Sequence, residues 1–353
     1  MKKSIKQRKF KEIYFIRANK TKFGGAEVYL SRLSNELDKQ NIKHKVVNSI
    51  FPKFLPSWLR AILFNLQVCI TKSKRFYFSL DRVTCADVYR SGDGVHKVFL
   101  KTVNKSRLNP LHPVYLYLEK LCYQNARKII AISDMVKNDI VNSYNVKPSK
   151  ISVIRNGINL KEFNYENAFL QLKKEFSLTK DVPIILYVGS GFKRKGVEEF
   201  LLIISKLKVD NFKAFVIGKE RNVQFYKSLA IELNIEKNVV FTGPRADVDN
   251  FYTIGDIFLF PTHYEPFGNV ILEAMNFKNV VFTTFQCGGS EVIDKEFVMT
   301  HPKDFSVVEK IDSLLLNKDR LRLVQKNNRE VSKSFSIEKN LSETLKVIDE
   351  VIN

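Results

Sequence analysis

Ile257-Phe258-Leu259-Phe260-Pro261-Thr262-His263-Tyr264-Glu265-Pro266-Phe267-Gly268-Asn269-Val270-Ile271-Leu272-Glu273-Ala274-Met275 reads as a buried strand ending at Pro261, then a loop bearing one carboxylate. A helix follows, opening at Gly268 or Asn269 with a second carboxylate four residues inside it. The first turn of such a helix has N–H groups without intrahelical partners, a preorganised site for an anion such as a phosphate. Glu265 and Glu273 flank it. Carboxylates repel bound phosphate, so these two are placed to accept hydrogen bonds from hydroxyls, as a sugar or a ribose offers them. The competing reading is an acidic helix start that complements the helix dipole, with both Glu side chains solvated.

Strand, loop and helix recur around this unit. Strands are expected at 183–188, 213–217, 239–242, 257–260, 280–283 and 297–300, separated by helical stretches at 197–207, 223–233, 248–252 and 269–277. Such alternation gives a parallel, doubly wound sheet whose ligands bind at the carboxyl ends of the strands. From Ser306 onward only helical patterns remain, ending in an amphipathic helix over 337–352.

The first half alternates in the same way. Strands are expected at 12–17, 43–48, 75–80, 84–90, 128–132 and 151–154, and helices at 26–40, 113–126 and from an N-cap at Ser133 through Val141. The turn-rich Arg155-Asn156-Gly157-Ile158-Asn159 marks a boundary. The expected organisation is a basic α/β domain over 1–160, a second over 161–335, and a terminal helix over 336–353.

Charge separates the halves. The 353 residues carry a net charge of +21, and residues 1–160 hold 31 Lys+Arg against 10 Asp+Glu, so the whole excess lies there. A basic half joined to a neutral half suggests two domains meeting different partners. With 44% hydrophobic and 27% charged residues the chain is globular, neither disordered nor fibrous. Cys69, Cys85, Cys122 and Cys287 form no C-x-x-C pair or Cys/His cluster, and read as reduced buried thiols of a cytosolic protein. The basic N-terminus is followed by only four apolar residues, Ile13 to Ile16, which is no signal core. The most apolar stretch, Leu59 to Ile70, contains Arg60, Asn65 and Gln67. It reads as a buried amphipathic helix rather than a membrane span, with an interfacial helix as the alternative.

Three further segments carry chemistry. Val188-Gly189-Ser190-Gly191-Phe192-Lys193-Arg194-Lys195-Gly196-Val197 is a strand end, a glycine loop and three cations before a helix start. No Gly-Lys-Ser/Thr closes it as a P-loop, but it puts a guanidinium and an ammonium where a diphosphate could sit. Phe23-Gly24-Gly25-Ala26-Glu27 precedes the first helix, where two glycines let the backbone approach a ligand or simply make a tight turn. Arg90-Ser91-Gly92-Asp93-Gly94-Val95-His96-Lys97 offers a His and an Asp in a flexible loop. Asp247-Val248-Asp249 could hold a divalent metal, but it stands at a predicted helix start where Asp serves as a cap.

Together these residues resemble the retaining glycosyltransferases of the GT-B fold that share an E-x7-E motif, here Glu265 to Glu273. Within that family the closer likeness is to the type that adds the first glucose to the heptose region of a lipopolysaccharide core. That likeness rests on Phe23-Gly24-Gly25, on Val188 to Val197 and on Cys287-Gly288-Gly289, and it is weakest over residues 50–110, where an acceptor would be read.

The resemblance implies two Rossmann-like domains facing each other across a cleft, a terminal helix over 336–353 crossing back to the first domain, and UDP-glucose as donor. Arg194 and Lys195 would hold the diphosphate and stabilise the leaving UDP, Glu273 would bind the ribose hydroxyls, and Glu265 the donor sugar. Phe267, Gly268, Asn269 and Val270 would bind the donor, the last two contacting phosphate through backbone N–H groups. Gly24 and Gly25 would let the first domain approach the diphosphate, and His96 would lie near the donor sugar. No metal and no other cofactor is expected, since cations and helix N–H groups meet the charge on the leaving diphosphate.

The acceptor expected is a glycolipid at the inner face of the cytoplasmic membrane, with the basic first domain against the anionic surface. A lipid-linked oligosaccharide or a capsule precursor is the alternative acceptor. A basic nucleic-acid-binding protein is disfavoured: no recognition helix or aromatic RNA-binding strand motif is present, and the paired Glu residues would stand badly beside phosphate.

Overall fold

The computed structural model describes residues 12–20, 25–103 and 108–352. The chain divides into two compact units, residues 1–157 with 337–353, and residues 158–336.

The first unit is built on six parallel strands: β1 (Ile13–Ile16), β2 (His44–Val47), β3 (Phe76–Ser79), β4 (Val88–Ser91), β5 (Lys128–Ala131) and β6 (Ile151–Val153). Their order in the sheet is β2-β1-β3-β4-β5-β6. Helix α1 (Gly25–Lys39) turns Tyr29, Leu30, Leu33 and Leu37 onto Phe15, Phe76 and Phe78 of the sheet. These positions recur at helical spacing on one face, which is why this segment forms a core helix. The connections after β2 and β4 contain α2 (Ser57–Ile70), α3 (His96–Thr102) and α4 (Leu111–Asn125), and α5 (Asp134–Tyr144) follows β5. Ser133 caps α5 by accepting from the Val136 N–H at 3.1 Å, and Asn145 ends it in the left-handed conformation.

Two expectations change here. Strand β4 begins at Val88 rather than Thr84, because the Asp87 carboxylate accepts from the Tyr77 N–H at 2.8 Å and Cys85 is joined to Cys69 of α2, with their Cα atoms 5.6 Å apart. Thus Cys69 and Cys85 are not the reduced thiols expected; Cys122 and Cys287 are unpaired and buried. Helix α2 also departs from the buried reading: it buries Phe64 and Val68 while Leu66 and Ile70 stay exposed.

The second unit has strands β7 (Ile184–Val188), β8 (Lys213–Ile217), β9 (Val239–Gly243), β10 (Ile257–Phe260), β11 (Val280–Thr284) and β12 (Val298–Met299). All pair in parallel, in the order β12-β11-β10-β7-β8-β9. Each connection is a crossover, as joining parallel strands requires; all but the last carry α-helices, and that from β11 to β12 carries two 3₁₀ turns. They include α7 (Phe192–Lys195), α8 (Val197–Ile204), α9 (Val223–Glu232), α10 (Val248–Ile254) and α11 (Asn269–Asn276), with α6 (Tyr165–Phe176) before the sheet and α12 (Val307–Leu316) and α13 (Lys318–Lys333) after it. The sheet order reverses direction between β7 and β10, the switch point at which ligands of such sheets bind.

Helix α14 (Ile337–Ile352) belongs to the first unit. Its Leu341, Leu345, Ile348 and Ile352 share one core with Leu30, Leu33 and Leu37 of α1. Among the described residues no helix is long and apolar enough to cross a membrane.

Candidate functional site

The segments that leave β7 and β10, neighbouring strands at the switch point, carry the residues that the sequence singles out in the second unit. After β7 the chain passes Gly189, Ser190 and Gly191 into the single turn α7, so Arg194 and Lys195 stand on a helical turn rather than in an open loop. Gly196 breaks that turn from α8 with φ +82°, and a Cβ there would lie 1.9 Å from the Pro261 carbonyl oxygen. Only glycine lets the two segments approach so closely.

Glu265 closes the cluster. Its Oε2 receives the Arg194 guanidinium at 3.0 Å and the Lys195 ammonium at 3.2 Å. Arg194 also donates to the Tyr264 carbonyl at 2.6 Å, while its own carbonyl accepts from the His263 N–H at 3.0 Å and from the Thr262 hydroxyl at 3.3 Å. Burial alone would raise the Glu265 carboxyl; Lys195 and Arg194 outweigh it and hold the group below the ordinary carboxylate range. The carboxylate that the sequence suggests for sugar hydroxyls is therefore ionised and held by both cations, and the cluster of three keeps one net positive charge.

The turn after Glu265 is clamped by the segment that follows β11. The Glu265 N–H donates to the Gln286 carbonyl at 3.0 Å, and its carbonyl accepts from the Gly288 N–H at 2.9 Å. The buried Cys287 thiol donates to the Phe267 carbonyl at 3.1 Å, and burial pushes its pKa up to about 12, so it packs as a thiol. A Cβ on Gly289 would meet the Phe267 carbonyl at 2.6 Å, which accounts for the glycine at that place.

Gly268 is the N-cap of α11 with φ +80° and supplies no side-chain acceptor to the first turn. A Cβ at Gly268 would stand 3.2 Å from the Glu265 Cγ, so the carboxylate that holds the two cations lies beside the N-cap of α11. Glu273 lies four residues into that helix, on the partly buried part of its surface. Arg194, Lys195, Glu265, Phe267, Gly268, Asn269, Val270 and Glu273 thus fall on one end of one sheet, where two cations and a helix N-terminus can meet a diphosphate.

Sequence reasoning missed Glu199. It is buried within the apolar helix α8, and its Oε1 lies 3.0 Å from Nε2 of His263, tying the loop after β10 to the helix after β7. A carboxylate amid Val-Glu-Glu-Phe-Leu-Leu-Ile-Ile is the signal that could have found it. Asp247 and Asp249 are taken by cations: Asp247 by Arg245 at 2.8 Å, Asp249 by Lys161. Asp247 does occupy the N-cap position of α10, but its side chain makes no capping bond. Among the described residues no group of three or more His, Cys, Asp or Glu side chains is arranged to hold a metal ion.

The remaining candidates belong to the first unit. Gly24 lies outside the described residues, and Gly25 opens α1. Glu27 of that first turn receives Arg17 at 2.8 Å, and Arg17 reaches Asp81 at 2.9 Å, so the ends of β1 and β3 are bridged at their own switch point.

His96 is not in a flexible loop: it opens α3. Its backbone N–H donates to Glu119 Oε1 at 2.8 Å, and its Nε2 lies 3.1 Å from Nδ1 of His112. Burial, reinforced by the nearby Arg82, lowers its pKa to about 4, so its ring is neutral at physiological pH. Glu119, fully buried on α4, also accepts from Arg82 Nε at 2.9 Å and from the Tyr144 hydroxyl at 2.7 Å.

Residues 169–331 match the family "Glycosyl transferases group 1", and residues 85–162 match "Glycosyltransferase Family 4". The capsular polysaccharide biosynthesis glycosyltransferase CapM of Staphylococcus aureus is 34% identical over 235 residues, 63% of this chain and 61% of CapM. The lipopolysaccharide glucosyltransferase WaaG of Escherichia coli K12 is 27% identical over 217 residues, 59% of this chain and 58% of WaaG. The chain therefore matches about three fifths of the length of these relatives. A crystal structure of WaaG, a glycosyltransferase involved in lipopolysaccharide biosynthesis, superposes with a TM-score of 0.76 at 18% identity over 97% of this chain and 99% of that one. Anabaena HepE in complex with UDP and glucose does so with 0.74 at 17% over 96% and 99%. At these identities the superpositions establish the GT-B fold.

Proposed function

We propose that this chain, built from group 1 and family 4-type glycosyltransferase domains, is a retaining, metal-independent hexosyltransferase. Its donor is UDP-glucose and its acceptor the heptose region of a lipopolysaccharide or lipooligosaccharide core. The observation that carries the reading is the cluster of Arg194, Lys195 and Glu265 beside the N-terminus of α11.

Cleaving a glycosyl phosphate puts negative charge on the departing diphosphate and positive charge on the sugar carbon. Two cations and the N–H groups of Asn269 and Val270, fixed before the substrate arrives, meet that negative charge, and one such donor is worth roughly 3–4 kcal/mol of barrier. Glu273 binds the ribose hydroxyls, Glu265 the donor hexose, and neutral His96 a hydroxyl of the same sugar, with Gly24 and Gly25 allowing backbone close to the diphosphate. In the step itself the bond from the sugar carbon to the phosphate oxygen breaks and the bond to the acceptor oxygen forms on the same face. The acceptor proton passes to the leaving phosphate oxygen, so retention needs no enzyme base.

The excess of basic residues in the first 160 positions suits an acceptor borne on the anionic inner face of the cytoplasmic membrane. A capsule precursor or a lipid-linked oligosaccharide is the second acceptor reading, supported by the higher identity to CapM and by a 27% identical relative from Campylobacter jejuni named for an undecaprenol-linked acceptor.

The deciding experiment is a screen of nucleotide sugars for binding and hydrolysis in the presence of EDTA, followed by the glycolipid band pattern of a deletion strain. Hydrolysis of UDP-glucose without added metal, with a truncated core band in the strain, is the expected result. Binding of no nucleotide sugar would overturn the transferase reading, loss of activity in EDTA its metal independence, and an unchanged core band the acceptor.

A further inference from the structure

Helix α2 is apolar on two separate sides. Its inner side, with Phe64 and Val68, packs on Ile16, Tyr77, Val83 and Ala86 of the first unit. About 150° away, Leu59, Leu63, Leu66 and Ile70 recur at spacings of four, three and four, a stripe in which Leu59 and Leu63 are half-buried and Leu66 and Ile70 exposed. Leu66 is 49% and Ile70 81% exposed, and the segment leading into the helix adds Ile50 at 77% and Phe54 at 84%. Single exposed apolar residues are ordinary; a row of them on one side of one element marks an interaction surface.

The charge around the row identifies the partner. From Lys39 to Leu80 the chain contains no Asp or Glu and eight Lys or Arg. Lys53, Lys74 and Arg75, all exposed, lie at the two ends of the row. An apolar stripe bordered only by cations is the pattern of a helix that lies in the plane of an anionic bilayer, its stripe in the acyl boundary and its cations among headgroups. A second copy of the chain fits less well, because a two-fold contact through α2 would bring these cations against one another. Trp58, the only tryptophan of the chain, stands half-buried in the first turn of α2 at one end of the stripe, and indole favours a headgroup region.

We propose that the outer face of α2, with Ile50 and Phe54, is the surface by which this protein docks on an anionic lipid bilayer. The proposal rests on the reading of the chain as a transferase with a lipid-borne acceptor and gives that reading a specific membrane contact.

The test mixes the full-length protein with vesicles of phosphatidylethanolamine and phosphatidylglycerol, or of phosphatidylcholine alone, with and without brominated acyl chains. Expected are sedimentation with the anionic vesicles only, weakening as salt rises, and quenching of Trp58 emission by bromine. The double substitution Leu66→Glu with Ile70→Glu should lower the partition at least about tenfold with unchanged circular dichroism and UDP-glucose hydrolysis. If that variant loses its helical signal, Phe54→Ser, outside the helix, takes its place and should lower the partition severalfold.

Sedimentation without quenching, or equal partition by the folded variant, would overturn the proposal, as would a substitution that abolishes self-association while the wild type ignores vesicles. Vesicle docking through α2 in a protein that hydrolyses no nucleotide sugar would sustain the surface and overturn the transferase reading, so the two fail separately.

Discussion

The ammonium of Lys195 lies 3.2 Å from Oε2 of Glu265, the same oxygen that Arg194 reaches at 3.0 Å. One carboxylate thus holds two cations in place before any anion arrives, which lowers the reorganisation needed when a diphosphate binds. Lys195→Ala should cut transfer about 100- to 1000-fold while the melting temperature moves by only a few degrees. Steady-state turnover beside a thermal melt checks this; activity within a fewfold of wild type would place the phosphate clamp elsewhere.

The same triad sets a pH dependence of stability. Burial raises the Glu265 carboxyl, but Lys195 and Arg194 prevail, so its folded pKa lies below the unfolded value of 4.5. A carboxyl depressed by folding contributes stability that is complete above about pH 4.5 and is lost as pH falls through the folded value. Glu265→Gln removes that contribution. The gap in melting temperature between wild type and variant should be widest at pH 7 and should narrow toward pH 3; a gap that widens in acid would contradict an ionised Glu265.

The strands were legible because each is a short apolar run between turn residues, and Lys213–Ile217 and Ile257–Phe260 end where the pattern ends. The cation pair and Glu265 were legible for the related reason that each follows directly on such a strand. What the pattern hid depends on partners distant in sequence. Cys69 and Cys85 carry no spacing signal, and their pairing follows from α2 lying against the segment before β4. His96 reads as a loop residue among glycines, yet Glu119, twenty-three positions on, accepts its N–H and starts a helix there. Periodicity likewise found the apolar character of α2 but not that one of its two apolar sides stays exposed.

Glu119 is the anchor of that region, accepting from Arg82, the His96 N–H and Tyr144 in a fully buried position. Glu119→Ala leaves the largely buried Arg82 guanidinium and the donors of His96, Lys97 and Tyr144 without their acceptor and should cost about 3–5 kcal/mol, read as a shift in urea midpoint. Glu119→Gln, which keeps the shape and one acceptor oxygen but not the charge, should cost clearly less; equal losses would mean that the negative charge opposite Arg82, not an acceptor oxygen, is what Glu119 supplies.

His96 itself gives a complementary signature. Burial, then Arg82, lowers its pKa from 6.5 to about 4, with Glu119 opposing and His112 adding to the shift. Between those values the unfolded chain binds a proton that the folded one does not, so stability falls as pH drops from about 6.5 to 4. His96→Gln should leave stability at pH 7 nearly unchanged and flatten this decline. A decline as steep as in wild type would assign it to another group.

Two glycines beside the cation pair separate steric from conformational demand. Gly191 has φ +78° with nothing within 4 Å of an added Cβ, whereas Gly196 has φ +82° and a Cβ there would sit 1.9 Å from the Pro261 carbonyl oxygen. Gly191→Ala meets only the cost of a left-handed conformation, about 1–2 kcal/mol, and should retain activity. In Gly196→Ala the backbone of α7 and the loop after β10 must part, pulling Arg194 and Lys195 from the segment that carries Glu265. We therefore expect a larger loss of stability and a fall in turnover beyond what the melting curve explains, measured on both variants under identical conditions. Equal effects would mean that the close approach at Gly196 relaxes without disturbing the cations.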